Sequence, residues 1–355
     1  MKTVLIKVTA TIFIFLFSGM FANIYSGEWI DKVVVDKKID VKSDARLIID
    51  HEYGNVRCRN WDKNEIAVKV TIRVKTKDEE MAAKIIDKVI VDVDGSSSKV
   101  KAYCDLNQRL QGNSKIQVSI DFDIYMPSTV FFELDQSFGT SYVESVSGPT
   151  SISSDYSSLE IGSLSNAENN IELNFSEANI ASIMDGNVEI SYSEFNLSNA
   201  NKVSLETEYS SITIGKASSV TMELEGGSAV IGEVNTLYVE ADFSSLEIKK
   251  LISTLVAETE YGSLKIGSVD KGFSSIAIEN GFGSIAIGLS KDIACRIELE
   301  GEFGSFNFPE KLIDISYKKV GHTSTVIKGV IGKGANPSSV ITLDYKYGSV
   351  DLSVE

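Results

Sequence analysis

A hydrophobic template of seven positions recurs eleven times between Phe138 and Tyr347, and it constrains the fold more than any other feature. In the copy around Tyr209, apolar or β-forming residues stand at offsets −6, −4, −2, 0, +3, +5 and +8. Alternation with a period of two predicts strands with one buried face. Between 0 and +3 the template positions change from even to odd offsets across two small residues. We therefore expect the chain to turn a corner there.

The zero position of each copy is called its anchor, and ten of the eleven anchors are aromatic. Successive anchors are 17 to 19 residues apart as far as Tyr261, and then 21, 21 and 44. A fixed period of strand units is typical of a stacked array. The sequence therefore predicts an all-β fold, a parallel β-helix (β-solenoid) of about eleven short coils, with the anchor rings inside the core. The anchors are Phe138, Tyr156, Phe175, Tyr192, Tyr209, Gly226, Phe243, Tyr261, Phe282, Phe303 and Tyr347.

Small residues form two further columns. Glycine recurs at +6, where we expect a corner that needs positive φ. These glycines are Gly162, Gly215, Gly232, Gly267 and Gly288. Serine recurs at +2, as in Ser211 and Ser245, and no histidine stands near these serines in the pattern. We therefore expect them to make hydrogen bonds at the corners and not to act as nucleophiles.

The first 22 residues are predicted to be a secretory signal peptide. Lys2 and Lys7 precede an apolar run that ends at Phe17, and small residues follow. Cleavage is expected after Ala22, with Ser26 as the alternative. The apolar run is shorter than the roughly 20 residues that span a bilayer. We therefore expect an exported mature protein without a transmembrane segment, located in the periplasm or on the cell surface.

Residues 27–130 are expected to form an α+β cap, and residues 131–355 the solenoid. Thr76 to Glu79 resembles a capping box that opens one helix, with Val89 and Ile90 on its apolar face. A copy of the template around Tyr53 suggests that cap and solenoid share one sheet. The 44 residues before Tyr347 are expected to hold an irregular rung or a hairpin.

Charge and composition exclude several classes of site. The formal net charge of −16 repels phosphate, so we expect no nucleic-acid partner. Two histidines are too few for a histidine-rich metal site. The sequence leaves open whether Cys58 and Cys104 form a disulfide or are separate buried thiols, while Cys295 continues an inward row. We expect no organic cofactor.

Acidic residues dominate the outward position −3, where ten of eleven copies carry a carboxylate. In a parallel stack these positions align, and two unit charges ~4.8 Å apart repel by about 0.9 kcal/mol in water. The column consists of Asp135, Ser153, Glu172, Glu189, Glu206, Glu223, Glu240, Glu258, Glu279, Glu300 and Asp344. Position −1 adds Asp155, Glu208, Glu225, Asp242, Glu260 and Glu302.

Two interpretations of this column stay open. Exposed charge keeps a long repetitive sheet soluble and prevents it from pairing with copies of itself. Alternatively, the column binds a cationic surface or divalent cations, for which carboxylate oxygens are suitable ligands. The candidate metal ligands are Glu206, Glu223, Glu240 and Glu258, with calcium as the candidate ion.

The chain resembles a bacterial putative-adhesin family of unknown function, exported proteins common in Bacteroidetes. The matching elements are Tyr53 to Val56, the turn from Asn60 to Glu65, the capped helix from Glu79, Ser147 to Pro149, and the repeated aromatic-Gly/Ser-Ser elements. They cover nearly all of the mature chain. The resemblance implies a right-handed β-helix on the cell envelope, and it transfers no catalytic or binding residue.

Three functions are compatible with these features. The leading hypothesis is a non-enzymatic envelope or surface protein, an adhesin or scaffold whose acidic face contacts an envelope protein, a polysaccharide or divalent cations. A periplasmic sensing or stress-response component is the second. A carbohydrate-active β-helix enzyme is the third, but paired acids such as Glu206 and Glu208 recur in several copies, whereas an active site is usually a single irregularity.

Overall fold

A computed structural model describes residues 28–106, 117–308, 313–332 and 337–354. These residues form an all-β structure with one helix, and their strands belong to a single 22-stranded sheet. The described part of the chain holds no helix long and apolar enough to cross a membrane. The predicted signal peptide, residues 1–22, lies outside the described residues.

The region before the repeats contains six strands and the helix. They are β1 (Glu28–Asp40), β2 (Arg46–Asn60), β3 (Glu65–Thr76), α1 (Glu79–Ile86), β4 (Val89–Ser96), β5 (Lys99–Leu106) and β6 (Gln117–Met126).

The repeat region contains sixteen strands. The first seven are β7 (Phe131–Val146), β8 (Thr150–Asp155), β9 (Ser158–Leu164), β10 (Asn169–Asn174), β11 (Glu177–Ser191), β12 (Glu194–Glu208) and β13 (Ser211–Glu260). The next five are β14 (Ser263–Val269), β15 (Ser275–Gly281), β16 (Ser284–Leu289), β17 (Cys295–Glu302) and β18 (Ser305–Asn307). The last four are β19 (Ile313–Val320), β20 (Ser324–Ile331), β21 (Val340–Lys346) and β22 (Ser349–Val354).

Helix α1 begins two residues later than the predicted capping box implies. Its N-cap is Asp78, whose carboxylate accepts a hydrogen bond from the Met81 N–H at 3.0 Å. The Thr76 hydroxyl instead accepts from the N–H of Asp78. The helix ends at Ile86, so the assignment of Val89 and Ile90 to its apolar face was wrong, since both lie in β4.

The repeats stack in register. We call each copy of the template a rung. Strands β12 and β13 pair in parallel, with Val203 opposite Val220 and Leu205 opposite Met222, so equal template offsets coincide. The side chains at −6, −4, −2, +3, +5 and +8 point inward in the Tyr209 rung, which confirms these six core positions. They are Val203, Leu205, Thr207, Ile212, Ile214 and Ala217.

The inward placement of the anchors was wrong. Tyr209 is 59% exposed, and Phe243 is 68% exposed. Every non-glycine residue with positive φ among those described is an anchor, including Tyr53 of the cap, with φ between 47° and 58°. The left-handed conformation directs the ring outward at the corner, and the small residue that follows occupies the interior.

Stacking offsets the cost of this backbone conformation. A non-glycine residue in the left-handed region is destabilised by roughly 1–2 kcal/mol. Neighbouring anchor rings stack with centroids 4.8 to 5.4 Å apart, and one aromatic pair contributes about 0.5–1.5 kcal/mol. An anchor with an aromatic anchor on both adjacent rungs makes two such contacts, which explains why this corner selects aromatic residues.

The two columns of small residues also differ from expectation. The +6 glycines do not have positive φ; a Cβ on Gly215 would lie 2.5 Å from the Ser198 carbonyl oxygen, so close approach of the preceding rung excludes a side chain. The serine at +1 makes the hydrogen bonds that close the corner, while at +2 the Ser245 and Ser263 hydroxyls of adjacent rungs lie within hydrogen-bond distance, 3.0 Å apart. The hydroxyl of Ser210 donates to the Glu208 carbonyl and accepts from the Ser193 N–H.

Spatial order departs from chain order at both ends. Strand β2 pairs in parallel with β7 on one side and with β5 and β6 on the other, so one sheet joins cap and repeats, as predicted. At the other end, β21 lies between β15 and β17. The predicted hairpin is confirmed as β19–β20, and β20 pairs antiparallel with β17.

Candidate functional site

The predicted acidic column forms a row on the exposed face, in which Ser153 stands between Asp135 and Glu172. In-register pairing links Glu172 to Glu189, then Glu206, then Glu223. Further along, Glu258 pairs with Glu279. Asp344 stands between Glu279 and Glu300 because β21 is inserted there. These side chains are exposed, as the alternation predicted.

The face that carries this column is hollowed. Four overlapping depressions follow one another along it, and each shares carboxylate residues with the next. The −5, −3 and −1 columns line them. The row of carboxylates therefore lies in a shallow trough that crosses many rungs and does not form one enclosed pocket.

The carboxylates are densest in four consecutive rungs, which carry an acid at both −3 and −1. We call this group the acidic octet. Its members are Glu206, Glu208, Glu223, Glu225, Glu240, Asp242, Glu258 and Glu260. No ion pair between described residues includes any of them.

Charges on other faces of the same rungs are paired. The Glu233 carboxylate, at +7, lies 3.6 Å from Lys216 Nζ and 3.4 Å from Lys250 Nζ, its counterparts in the two adjacent rungs. At +4, Lys265 Nζ lies 2.8 Å from the Glu247 carboxylate. The stack can alternate charges between rungs, and it does not do so in the trough.

At the cap end of the column, crowding of acidic groups has a resolved effect. Burial of the Asp135 carboxyl group raises its pKa, and the nearby charges of Asp50 and Asp155 raise it further. Burial is also the largest cause of the raised pKa of Glu52, to which Asp105 and Asp50 add. Ionisation of these groups is therefore disfavoured in the folded protein.

The four candidate metal ligands lie one per rung in the same column. The register places Glu206 opposite Glu223, and one depression is lined by Glu223, Glu240 and Glu258. Within the described ranges, no three Asp, Glu, His or Cys side chains converge in a group that could hold a metal ion. The candidate ligands thus form a linear array of carboxylates, one per rung.

Sequence reasoning missed the exposed row of anchor rings, which borders the trough because position 0 follows position −1. One signal could have revealed it. Gly226 occupies an anchor position, and glycine is poorly suited to a packed core but suited to positive φ. Its φ is +57°, like that of the aromatic anchors.

The three thiols and one histidine are structural. Cys58, Cys104 and Cys295 are buried and free, and burial raises the pKa of Cys104 and Cys295 to about 12. His51 is 1% exposed at position −2 of the Tyr53 rung, and its Nε2 lies 2.6 Å from the Ile120 carbonyl oxygen.

Neither a protein-family model nor a curated protein matches this chain. The chain is similar to the crystal structure of a putative cell adhesion protein from Clostridium sporogenes ATCC 15579, with 11% identity, coverage of 93% of this chain and 100% of that one, and a TM-score of 0.18. A putative adhesin from Bacteroides fragilis NCTC 9343 shows 11% identity, coverage of 92% and 98%, and a TM-score of 0.24. One from Parabacteroides distasonis ATCC 8503 shows 12% identity, coverage of 92% and 98%, and a TM-score of 0.26. At these scores the superpositions do not equate this fold with theirs.

Proposed function

We propose that this chain is a non-enzymatic, exported envelope or surface protein of the adhesin or scaffold type, which presents its acidic trough to a cationic partner. The observation that carries this proposal is the contrast between faces. Rungs that pair opposite charges at Glu233 and Glu247 leave the acidic octet unpaired. Like charges held in a row retain their attraction for an external cation, because no internal cation neutralises them.

The proposal includes the finer description of the fold as a right-handed parallel β-helix. In-register parallel pairing at one repeat supports a continuous coil. Right-handed connections between parallel strands prevail in proteins generally. Such a coil is a rigid, elongated support on which one binding row is repeated many times.

The acidic face is tested by binding of a fluorescent oligolysine. We expect binding that weakens with salt, because attraction between exposed charges is screened within about 8 Å at physiological ionic strength. Changing Glu206, Glu223 and Glu240 together to Gln should weaken it at least fivefold. The matched control changes Glu160, Glu177 and Glu194 to Gln, which removes the same charge beyond the corner, on the +2 and +4 columns. Equal losses in both triple variants would refute a specific role of the trough.

Cellular location is tested separately with a membrane-impermeant reagent that labels lysines on intact cells. Exposed Lys202 and Lys249 lie on the repeat region and would react if the protein is on the surface. Labelling only after permeabilisation would exclude an adhesive role and would leave the periplasmic sensing function as the alternative.

A further inference from the structure

The exposed anchor rings form a stacked ladder with one break. The first segment runs from Tyr53 to Tyr209, and the second contains Phe243, Tyr261, Phe282, Tyr347 and Phe303 in spatial order. Gly226 stands between them and supplies no ring. Tyr209 and Phe243 therefore each have one ring face without a stacking neighbour in the ladder.

Exposure and tilt both mark this break. Phe243 and Tyr209 are the most exposed anchors, at 68% and 59%. Tyr209 is tilted 17° from Tyr192, whereas the other adjacent anchor rings are within 8° of parallel. Its ring leans over Gly226, because a Cβ placed there would lie 2.8 Å from Tyr209 Cε1. The ring partly fills a space that one aromatic side chain fills elsewhere in the ladder.

The break coincides with the acidic octet. The Gly226 rung and the two adjacent rungs carry Glu208, Glu225 and Asp242 at −1, next to the anchors in sequence. The same three rungs carry further carboxylates at −3. A ring that enters the break is therefore next to concentrated negative charge. This surrounding favours a ring that belongs to a cationic ligand and disfavours an anionic one.

We propose that the break at Gly226 is a docking notch for one aromatic side chain carried in a basic segment of a partner protein. The aromatic side chain takes the place of the missing ring and stacks between Tyr209 and Phe243, while neighbouring Lys or Arg side chains pair with the octet. This inference rests on the proposed function of the trough and adds to it the chemistry of the partner. To admit the incoming ring, the Tyr209 ring must rotate away from Gly226 until it is parallel to the Tyr192 ring.

The occupant follows from the dimensions of the ladder. Adjacent anchor rings have centroids 4.8 to 5.4 Å apart, so two rings that flank a third are separated by twice that distance. That spacing accommodates one stacked ring with the same offset contacts that the ladder already uses. A sugar ring could also stack there, but a neutral sugar would leave the octet without cations, so the charge favours the basic aromatic segment.

The test compares three blocked tripeptides, Lys-Trp-Lys, Lys-Leu-Lys and Glu-Trp-Glu, by ligand-observed NMR titration of the full chain. We expect Lys-Trp-Lys to bind at least fivefold more tightly than Lys-Leu-Lys, and Glu-Trp-Glu not to bind. Equal binding of the two lysine peptides would overturn the notch. Competition by cellobiose without any preference for Lys-Trp-Lys would overturn it in favour of a sugar.

Two variants locate the preference. Gly226→Phe supplies the missing ring at a φ that the other anchors already adopt, and should abolish the preference for Trp over Leu. Phe243→Ser removes one wall of the notch and should do the same, whereas Phe175→Ser removes a ring away from the break and should not. A preference that survives both Gly226→Phe and Phe243→Ser would refute the proposal. Oligolysine binding should persist in all three, so loss of the notch is distinguishable from failure of the acidic trough.

Discussion

The ring of Tyr347 stacks on that of Phe282, with centroids 4.8 Å apart, although Phe303 is the next anchor along the chain. Phe303 stacks on the other face of Tyr347 at 5.0 Å. The last rung in sequence is therefore the last but one in space. The hairpin β19–β20 covers the rung that ends the stack, and its antiparallel pairing replaces a parallel edge that could otherwise recruit another chain.

The inserted rung predicts a specific cross-link. Asp344 is the register partner of both Glu279 and Glu300. Neighbouring strands lie within the Cα distance that a disulfide spans, and strands two positions apart, at ~10 Å, do not. Glu279→Cys with Asp344→Cys should form a disulfide on oxidation, and Glu279→Cys with Glu300→Cys should not. Mass spectrometry of the oxidised variants detects which pair is cross-linked. The reverse pattern would indicate that the rungs stack in the order of the chain.

The exposed left-handed corner predicts an unusual order of substitutions at Tyr261. Tyr261→Ala loses two stacking contacts and keeps a backbone that disfavours Ala, whereas Tyr261→Gly loses the contacts and relieves the backbone. We expect the Gly variant to be more stable than the Ala variant by about 1 kcal/mol. Thermal unfolding followed by circular dichroism measures the difference. An Ala variant that melts higher would contradict the assigned corner conformation.

Repulsion along the trough should destabilise the protein at low ionic strength. Added salt should raise Tm, and changing Glu206, Glu223 and Glu240 together to Gln should remove much of that rise. A larger effect of calcium than of magnesium at matched ionic strength would support a cation site, since calcium accepts flexible coordination by several carboxylates. Equal effects of calcium and magnesium, reproduced by sodium chloride, would show that the ions act only by screening the repulsion between carboxylates.

Asp135 should contribute stability on mild acidification. Its pKa in the folded protein is raised by burial and by nearby acidic charges. The folded state therefore binds a proton more tightly than the unfolded chain, and stability increases as pH falls through the folded pKa. Asp135→Asn should raise Tm at pH 7 and reduce the gain between pH 7 and pH 4. The control is Asp36→Asn in β1, and an identical pH profile for both variants would contradict the prediction.

His51, in contrast to Asp135, should make the folded protein less stable on mild acidification. Burial lowers its pKa in the folded protein, so the unfolded chain binds the proton more tightly. Stability from the neutral imidazole is present above the unfolded pKa near 6.5 and is lost as pH falls below it. The register partner of His51 is Gln136, so His51→Gln should fit the position. We expect this variant to lose less stability than the wild type between pH 7 and pH 5, as measured by Tm.

Much of the acidic face was predictable, because which residues point outward depends only on the alternation along each strand. Position −3 lies between inward −4 and −2 in every copy, so Glu206 and Glu223 had to point outward once strands were assigned. Their alignment follows from the near-constant period of the repeat. The sequence could not decide whether the column binds cations, because identical outward rows serve solubility and binding equally well.

The sequence by itself determined the strands, the inward residues at six template positions and the acidic column, because alternation fixes which face a side chain takes along a straight strand. Only the tertiary structure decided where the Tyr209 ring points, since at a corner the φ angle sets direction and parity does not. It alone placed Tyr347 between Phe282 and Phe303. Every rung carries the same template, so local sequence cannot state which rungs are neighbours, and the antiparallel hairpin that covers the Phe303 rung leaves its other edge for β21.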